Sequence, residues 1–293
     1  MTTRRDFLRT ALAGLAAGGV AGKALAAGRL AWPGPIGLQL YTVRGLYAKN
    51  PLQTLKDVAA AGYTTVELAA FLPPHLPPAT LESYLRQAGL KAIGAHFPLP
   101  KTVEDWKPFV EQAHSLGLRY TGTSMTNHLT VDGWKRLAAL FNECGKLSRP
   151  AGVEFCYHNH IREFEPLAGN TNGYTILLTE CEPSLVNMEM DIFWATYSQQ
   201  DPIHWWRRYP GRFPLLHIKD LRKGITVNPR EFPGRGVNPF VPVGQGRIDW
   251  PRIFSHVHLA GTKYIFVEQD RCDGSPLVAI KQSYHYLRNL RLT

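Results

Sequence analysis

A short β-prone run, a connection and an amphipathic helical run recur eight times along this chain, and that alternation constrains the fold more than any other feature. Residues 36–41, 64–68, 91–95, 119–124, 153–157, 186–190, 214–218 and 264–267 read as strands. Residues 51–60, 78–88, 103–116, 131–147, 174–179, 202–209, 251–259 and 277–290 read as the helices that follow them. The first three helices are each followed by a glycine, Gly62, Gly89 and Gly117, which suits the left-handed residue that ends a helix. Strands alternating with helices must run parallel, and right-handed crossovers around eight of them close a (β/α)8 TIM barrel within the α/β class. An open doubly wound sheet is the other arrangement of such units. It is weakened because no G-x-G-x-x-G follows an early strand.

Ahead of the repeats stands a segment of a different kind. Thr3-Arg4-Arg5-Asp6-Phe7-Leu8-Arg9 precedes an apolar, small-residue run over 11–21 and then Ala24-Leu25-Ala26, an A-x-A cleavage pattern. Paired arginines before Phe-Leu resemble a twin-arginine export signal, so residues 1–26 are expected to be a signal peptide and the destination the periplasm. An amphipathic N-terminal helix is the alternative, but the run is apolar on every face. It is too short and too weakly apolar for a stable membrane anchor. Residues 27–35 are then a linker and 36–293 the barrel, a single domain of ordinary size for this architecture.

Composition removes several function classes. The formal charge of +10 falls to about +7 once Arg4, Arg5, Arg9 and Lys23 are removed together with Asp6, and the remaining cations are scattered. Nucleic acid is therefore not expected as a partner. Cys144, Cys156, Cys181 and Cys272 are widely spaced and include no C-x-x-C, so buried thiols are expected rather than a disulfide framework or a cysteine-held zinc.

The chemistry is carried by strand ends. Tyr157-His158-Asn159-His160-Ile161-Arg162-Glu163-Phe164 closes the fifth strand run, Asp191 follows the sixth, His217 ends the apolar part of the seventh, and Glu268 follows the eighth. A parallel barrel brings the C-terminal ends of its strands to one mouth, so these residues can converge on one divalent ion, although any one of them alone can be a cap or a satisfied core group. Glu67 and His96, near the ends of the second and third strands, are candidates for binding substrate hydroxyls. Trp194, Phe193 and Phe97 are candidates for apolar walls. Lys219 and Asp220 follow His217 and are expected to orient its imidazole or touch substrate. The longest connection, 220–246, is rich in Gly, Pro and Arg and reads as a lid over the active face, with Asp249 capping the next helix.

These motifs, taken in order, resemble a known family. Gly37-Leu38-Gln39-Leu40-Tyr41-Thr42-Val43-Arg44, Gly62-Tyr63-(x)3-Glu67, Tyr157-His158-Asn159-His160, His217-Ile218-Lys219-Asp220, Val243-Gly244-Gln245-Gly246-(x)2-Asp249-Trp250 and Val267-Glu268-Gln269-Asp270 are similar to the sugar phosphate isomerase/epimerase family of xylose-isomerase-like TIM barrels. The resemblance implies a divalent ion, commonly manganese with zinc, cobalt or magnesium as alternatives, held by His158, Asp191, His217 and Glu268. It departs at the fifth strand, where many relatives have Glu followed by Asn. Here either His158 replaces that carboxylate, the preferred reading, or Glu163 reaches in from the loop.

The implied chemistry is deprotonation of a carbon beside a carbonyl, with Glu268, His158, Glu163 and His160 as the acid/base candidates. Return of the proton gives an isomerase or epimerase. Loss of a group instead gives a lyase or dehydratase acting on a keto-glycoside or inosose-type substrate. Export makes a non-phosphorylated sugar, keto-sugar or polyol the expected partner, alongside the twin-arginine translocation machinery. A non-catalytic carbohydrate-binding barrel is the reading from another class. An abasic-site endonuclease would need the larger ligand set of a three-metal site.

Overall fold

The computed structural model describes residues 28–69, 75–124, 127–234 and 236–292. The expected signal peptide, 1–26, lies outside the described residues. Eight parallel strands form a closed barrel in chain order: β1 Ile36–Gln39, β2 Thr65–Ala69, β3 Lys91–Phe97, β4 Tyr120–Ser124, β5 Glu154–His158, β6 Val186–Asp191, β7 Leu215–Ile218 and β8 Tyr264–Val267. The eight helices expected from periodicity pack around it, α1 Pro51–Ala60, α2 Pro78–Ala88, α3 Lys107–Ser115, α4 Val131–Ser148, α5 Gly173–Glu180, α7 Pro202–Arg208, α8 Trp250–Ala260 and α9 Pro276–Asn289, together with a short helix that was not expected, α6 Ile192–Tyr197. The eight-unit TIM barrel is thus the observed architecture.

Local chemistry explains the boundaries. Asn50 caps α1 by accepting from Gln53 N at 3.1 Å, with Pro51 in the first turn, and Asp249 caps α8 by accepting from Arg252 N at 3.0 Å. The glycines after α1, α2 and α3 have positive φ, as expected from their positions. The stretch predicted as a linker is not free. Arg29–Leu30 pairs antiparallel with Arg291–Leu292, and Ala31 and Trp32 are buried. All four cysteines are free, three of them buried.

The largest apolar core lies between the strands and the helix ring, where Trp106, Trp134, Trp206 and Trp250 are fully buried. A second cluster, Ile93, Tyr120, Cys156, Leu215 and Phe266, includes residues from β3, β4, β5, β7 and β8. It fills the barrel as a floor, so the polar side chains farther along each strand rest on packed apolar groups and not on solvent. Among the described residues no helix is long and apolar enough to cross a membrane.

Candidate active site

Strand register assembles the site. His158 on β5 is level with Glu189 on β6, and Asp191 on β6 is level with His217 on β7. Side chains two apart on a strand share a face, so Glu189 and Asp191 occupy successive levels of one interior. Glu268 directly follows β8 and its backbone N–H donates to Ile218 O at 3.2 Å, which carries the same level across to the eighth strand. His217 stands inside β7 and not beyond its end.

At the upper level, one ligand atom each from Asp191, His217 and Glu268 lie within 4.8 Å of one another, and all three residues are buried. His217 Nδ1 is 2.7 Å from Glu268 Oε2, and His158 Nε2 is 3.6 Å from Asp191 Oδ2. The Lys219 ammonium enters the same group, 3.0 Å from Asp191 Oδ2, 2.8 Å from Glu268 Oε2 and 2.9 Å from Asp270 Oδ1. Burial opposes charge on that lysine, but Asp191, Asp270 and Glu268 outweigh it and hold its pKa well above the usual range. Burial likewise pushes Glu268 up, yet Lys219 and His217 bring it well below the ordinary carboxylate value. Three carboxylates already gathered on one buried cation, with a mixed N/O donor set, fit a divalent ion.

Beneath this level lie two further carboxylates. Glu67 Oε2 accepts from Gln39 Nε2 at 2.7 Å and lies 2.7 Å from His217 Nε2. Glu189 Oε2 is 2.5 Å from His96 Nε2 and 3.6 Å from His158 Nδ1, while Glu189 Oε1 is 3.3 Å from His217 Nε2. Both glutamates are buried. His158 and His217 therefore each turn one ring nitrogen to the upper carboxylates and the other to the lower pair. A Cβ at residue 122 would come within 2.8 Å of His96 Cδ2, so glycine on β4 leaves the room that the His96 ring fills.

A cavity of about 440 Å³ opens above, lined by Gln39, His96, His158, His160, Trp194, Lys219 and Glu268, with Phe232, Pro233 and Phe240 from the long loop and Tyr41, Arg44, Asp270 and Arg271 among its other walls. Of the residues expected at the site, His96, His158, His160, Trp194, Lys219 and Glu268 line it, and Asp191 and His217 support it from below. His160 packs against Trp194 and Phe232, and its Nδ1 is buried without a hydrogen-bond partner. Burial, aided by His158, keeps its imidazole well below the usual pKa and hence neutral.

Two expectations need correcting. Glu163 does not reach the cavity: Tyr157 OH donates to its Oε1 at 2.5 Å and His160 N–H to its Oε2 at 2.9 Å, so it braces the loop that carries His160. Glu67 was expected to bind substrate hydroxyls, but it lies under His217 and is tied to Gln39. Aromatic placement is also uneven. Trp194 forms a wall, Phe193 packs behind it on Phe240, and Phe97 stacks on Phe109 away from the cavity.

The pair after His217 divides its work. Lys219 faces the cavity, whereas the Asp220 carboxylate accepts from the backbone N–H groups of Leu221, Gly244, Gly246 and Ile248 and from the Trp250 indole. Asp220 thus ties the two ends of the long loop together. Two residues that matter were given no role in the sequence: Glu189, inside the sixth strand run, and Asp270, quoted only as part of a motif. The signal was available for Glu189, because a carboxylate two positions before Asp191 on a strand must share its face.

Comparison with known proteins agrees with this geometry. The model of the xylose isomerase-like TIM barrel family matches residues 55–290. Inosose dehydratase from Geobacillus kaustophilus is 25% identical over 272 residues, which covers 81% of this chain and 86% of that protein. A crystal structure of a sugar phosphate isomerase/epimerase from Parabacteroides distasonis is 26% identical with a TM-score of 0.73, covering 86% of this chain and 97% of the other. A structure of the IOLI protein with a binding zinc atom is similar in fold, at 17% identity and a TM-score of 0.67, covering 86% of this chain and 96% of the other.

Proposed function

The chain belongs to the xylose isomerase-like TIM barrel family, and on that premise we propose that it is a divalent-metal-dependent enzyme acting on a non-phosphorylated sugar, keto-sugar or cyclic polyol. It removes a proton from the carbon beside a carbonyl and returns it as an isomerase or epimerase does. The observation that carries this reading is the convergence of Asp191, His217, Glu268 and Lys219 under a cavity of small-molecule size. Asp191, His217 and Glu268 would hold the ion, with His158 at its edge, and the zinc atom of the IOLI structure supports such an occupant without deciding among manganese, zinc, cobalt and magnesium. When bound there, the ion supplies positive charge that stabilises the oxygens of the deprotonated substrate.

The protein's own groups supply the rest. Glu268 is ionised and faces the cavity, so it can accept the proton from carbon. Lys219, held as an ammonium, can donate to the neighbouring oxygen. His160, neutral and unpartnered at Nδ1, is placed for the second proton transfer that an epimerase or isomerase needs. Trp194, Phe232 and Phe240 exclude water from these charges, which strengthens each contact.

A second reading has specific support: the relative named inosose dehydratase points to loss of a hydroxyl from the carbon next to the deprotonated one, the freed electron pair forming the double bond as the C–O bond breaks, and Lys219 is placed to protonate the departing oxygen. Incubating the metal-loaded protein with keto-sugars and inososes in D2O, followed by NMR, separates the two. Deuterium on carbon with no group lost supports isomerisation or epimerisation, whereas loss of water or an aglycone supports elimination. Glu268→Gln should slow either reaction by at least about 100-fold. Sugar binding with neither exchange nor turnover would leave a non-catalytic carbohydrate-binding barrel.

A further inference from the structure

The lower level is built like a cation site in its own right. One ligand atom each from His96, His158, Glu189 and His217 lie within 4.8 Å of one another, and all four residues are buried. His158 Nδ1 and Glu189 Oε1 have no hydrogen-bond partner, although their residues are 2% and 0% exposed. Leaving such atoms dry and unpaired is costly, and a bound cation removes the cost. Within this group His158 Nδ1 stands 3.6 Å from Glu189 Oε2, too far for a good hydrogen bond, while His96 Nε2 stands 2.5 Å from the same oxygen; around them His96 Nε2 is 3.4 Å from Glu67 Oε2 and His217 Nε2 is 3.3 Å from Glu189 Oε1. Ligands about 2.0–2.2 Å from one ion stand roughly 2.9–3.6 Å apart, a range that the longer separations already meet and that the His96–Glu189 contact reaches by lengthening when the ion enters between them. Among the described residues, neither Glu67 nor Glu189 is paired with a lysine or arginine; histidines alone face them.

We propose that this chain holds a second divalent ion beneath the first, bound by His96 Nε2, His158 Nδ1 and the Glu189 carboxylate, with Glu67 alongside. An N/O set of two imidazoles and a carboxylate suits zinc or cobalt better than magnesium. A neutral imidazole offers only one lone pair, and His217 is assigned to the upper ion through Nδ1, which leaves its Nε2, 2.7 Å from Glu67 Oε2, to donate to that carboxylate. His158 accordingly serves the lower ion through Nδ1. His96 and His158 both line the cavity, so the lower ion has a route in from the mouth. This inference adds to the single-ion reading above, and its test distinguishes the failure of either.

The full chain, stripped with a chelator and then titrated with Co2+, reports metal per chain by elemental analysis and ligand type by d–d absorption. Two equivalents are expected in the unmodified protein. Glu189→Gln and His96→Asn should each bind one, and Asp191→Asn should also bind one, but with a different spectrum. One equivalent that survives Glu189→Gln and is lost in Asp191→Asn would overturn the second ion and keep the first. One equivalent lost in Glu189→Gln and kept in Asp191→Asn would uphold the lower ion and overturn the upper. Zero equivalents in the unmodified protein would overturn both, and that count needs no variant to fold.

Discussion

Glu163 shows how far a side chain's role depends on its surroundings. By sequence it stands beside His158 and His160 as an acid/base candidate; in the fold, Tyr157 OH and the His160 N–H occupy its two oxygens. Burial outweighs these hydrogen bonds and raises its pKa from the ordinary 4.5 to about 7. An acid with a raised folded pKa binds its proton more tightly folded than unfolded. Its contribution is therefore complete below about 4.5 and lost as pH rises through about 7. Chemical denaturation of the unmodified protein and Glu163→Gln at both ends of that window should show the former losing more stability on going to high pH, by on the order of 3 kcal/mol. Equal losses in the two proteins would count against a buried, protonatable Glu163. The residues the sequence did identify, Asp191, His217 and Glu268, follow directly from strand position; Glu189 was missed because Val186-Asn187-Met188-Glu189-Met190 alternates apolar and polar, a pattern that by itself does not say the polar face is the buried interior of the barrel.

Among the elements, the loop after β7 is the one whose conformation the site depends on. Its expected role as a cover is supported by Phe232, Pro233 and Phe240 in the cavity wall, and the device that holds it is Asp220. One buried carboxylate accepts from four backbone N–H groups and an indole, and a Cβ at residue 246 would come within 2.0 Å of its Oδ1. The motif Val243-Gly244-Gln245-Gly246-(x)2-Asp249-Trp250 thus reads as a recipe for closing this loop: two N–H groups, a glycine that lets them approach, and an indole donor. Asp220→Ala leaves several buried donors unpaired, so a destabilisation of about 3 kcal/mol or more is expected in denaturant unfolding. Substrate affinity should weaken with it as the aromatic wall loosens. A loss under 1 kcal/mol would mean that water replaces the carboxylate and that Asp220 is not the tie.

At the scale of the molecule, the barrel closes against its own beginning, with Arg29–Leu30 paired to Arg291–Leu292. We propose that export through the twin-arginine pathway removes residues 1–26, which would leave a chain starting just ahead of that pairing, already folded and metal-loaded. Intact-mass analysis of the extracytoplasmic protein should give a chain beginning at Ala27. Replacing Arg4 and Arg5 with lysine should retain the protein in the cytoplasm, and unchanged export would defeat the proposal. The sequence by itself determined the βα alternation, the helix caps and stops, and the strands whose ends carry metal-type side chains, because these depend on local periodicity and backbone preference. Only the tertiary structure decided the depth and partner of each polar group: that Glu163 faces Tyr157, that Glu67 and Glu189 lie under the histidines, and that Asp220 ties a loop. Those facts depend on register around a closed barrel, where residues 150 positions apart such as Glu67 and His217 become neighbours, a distance that no local pattern encodes.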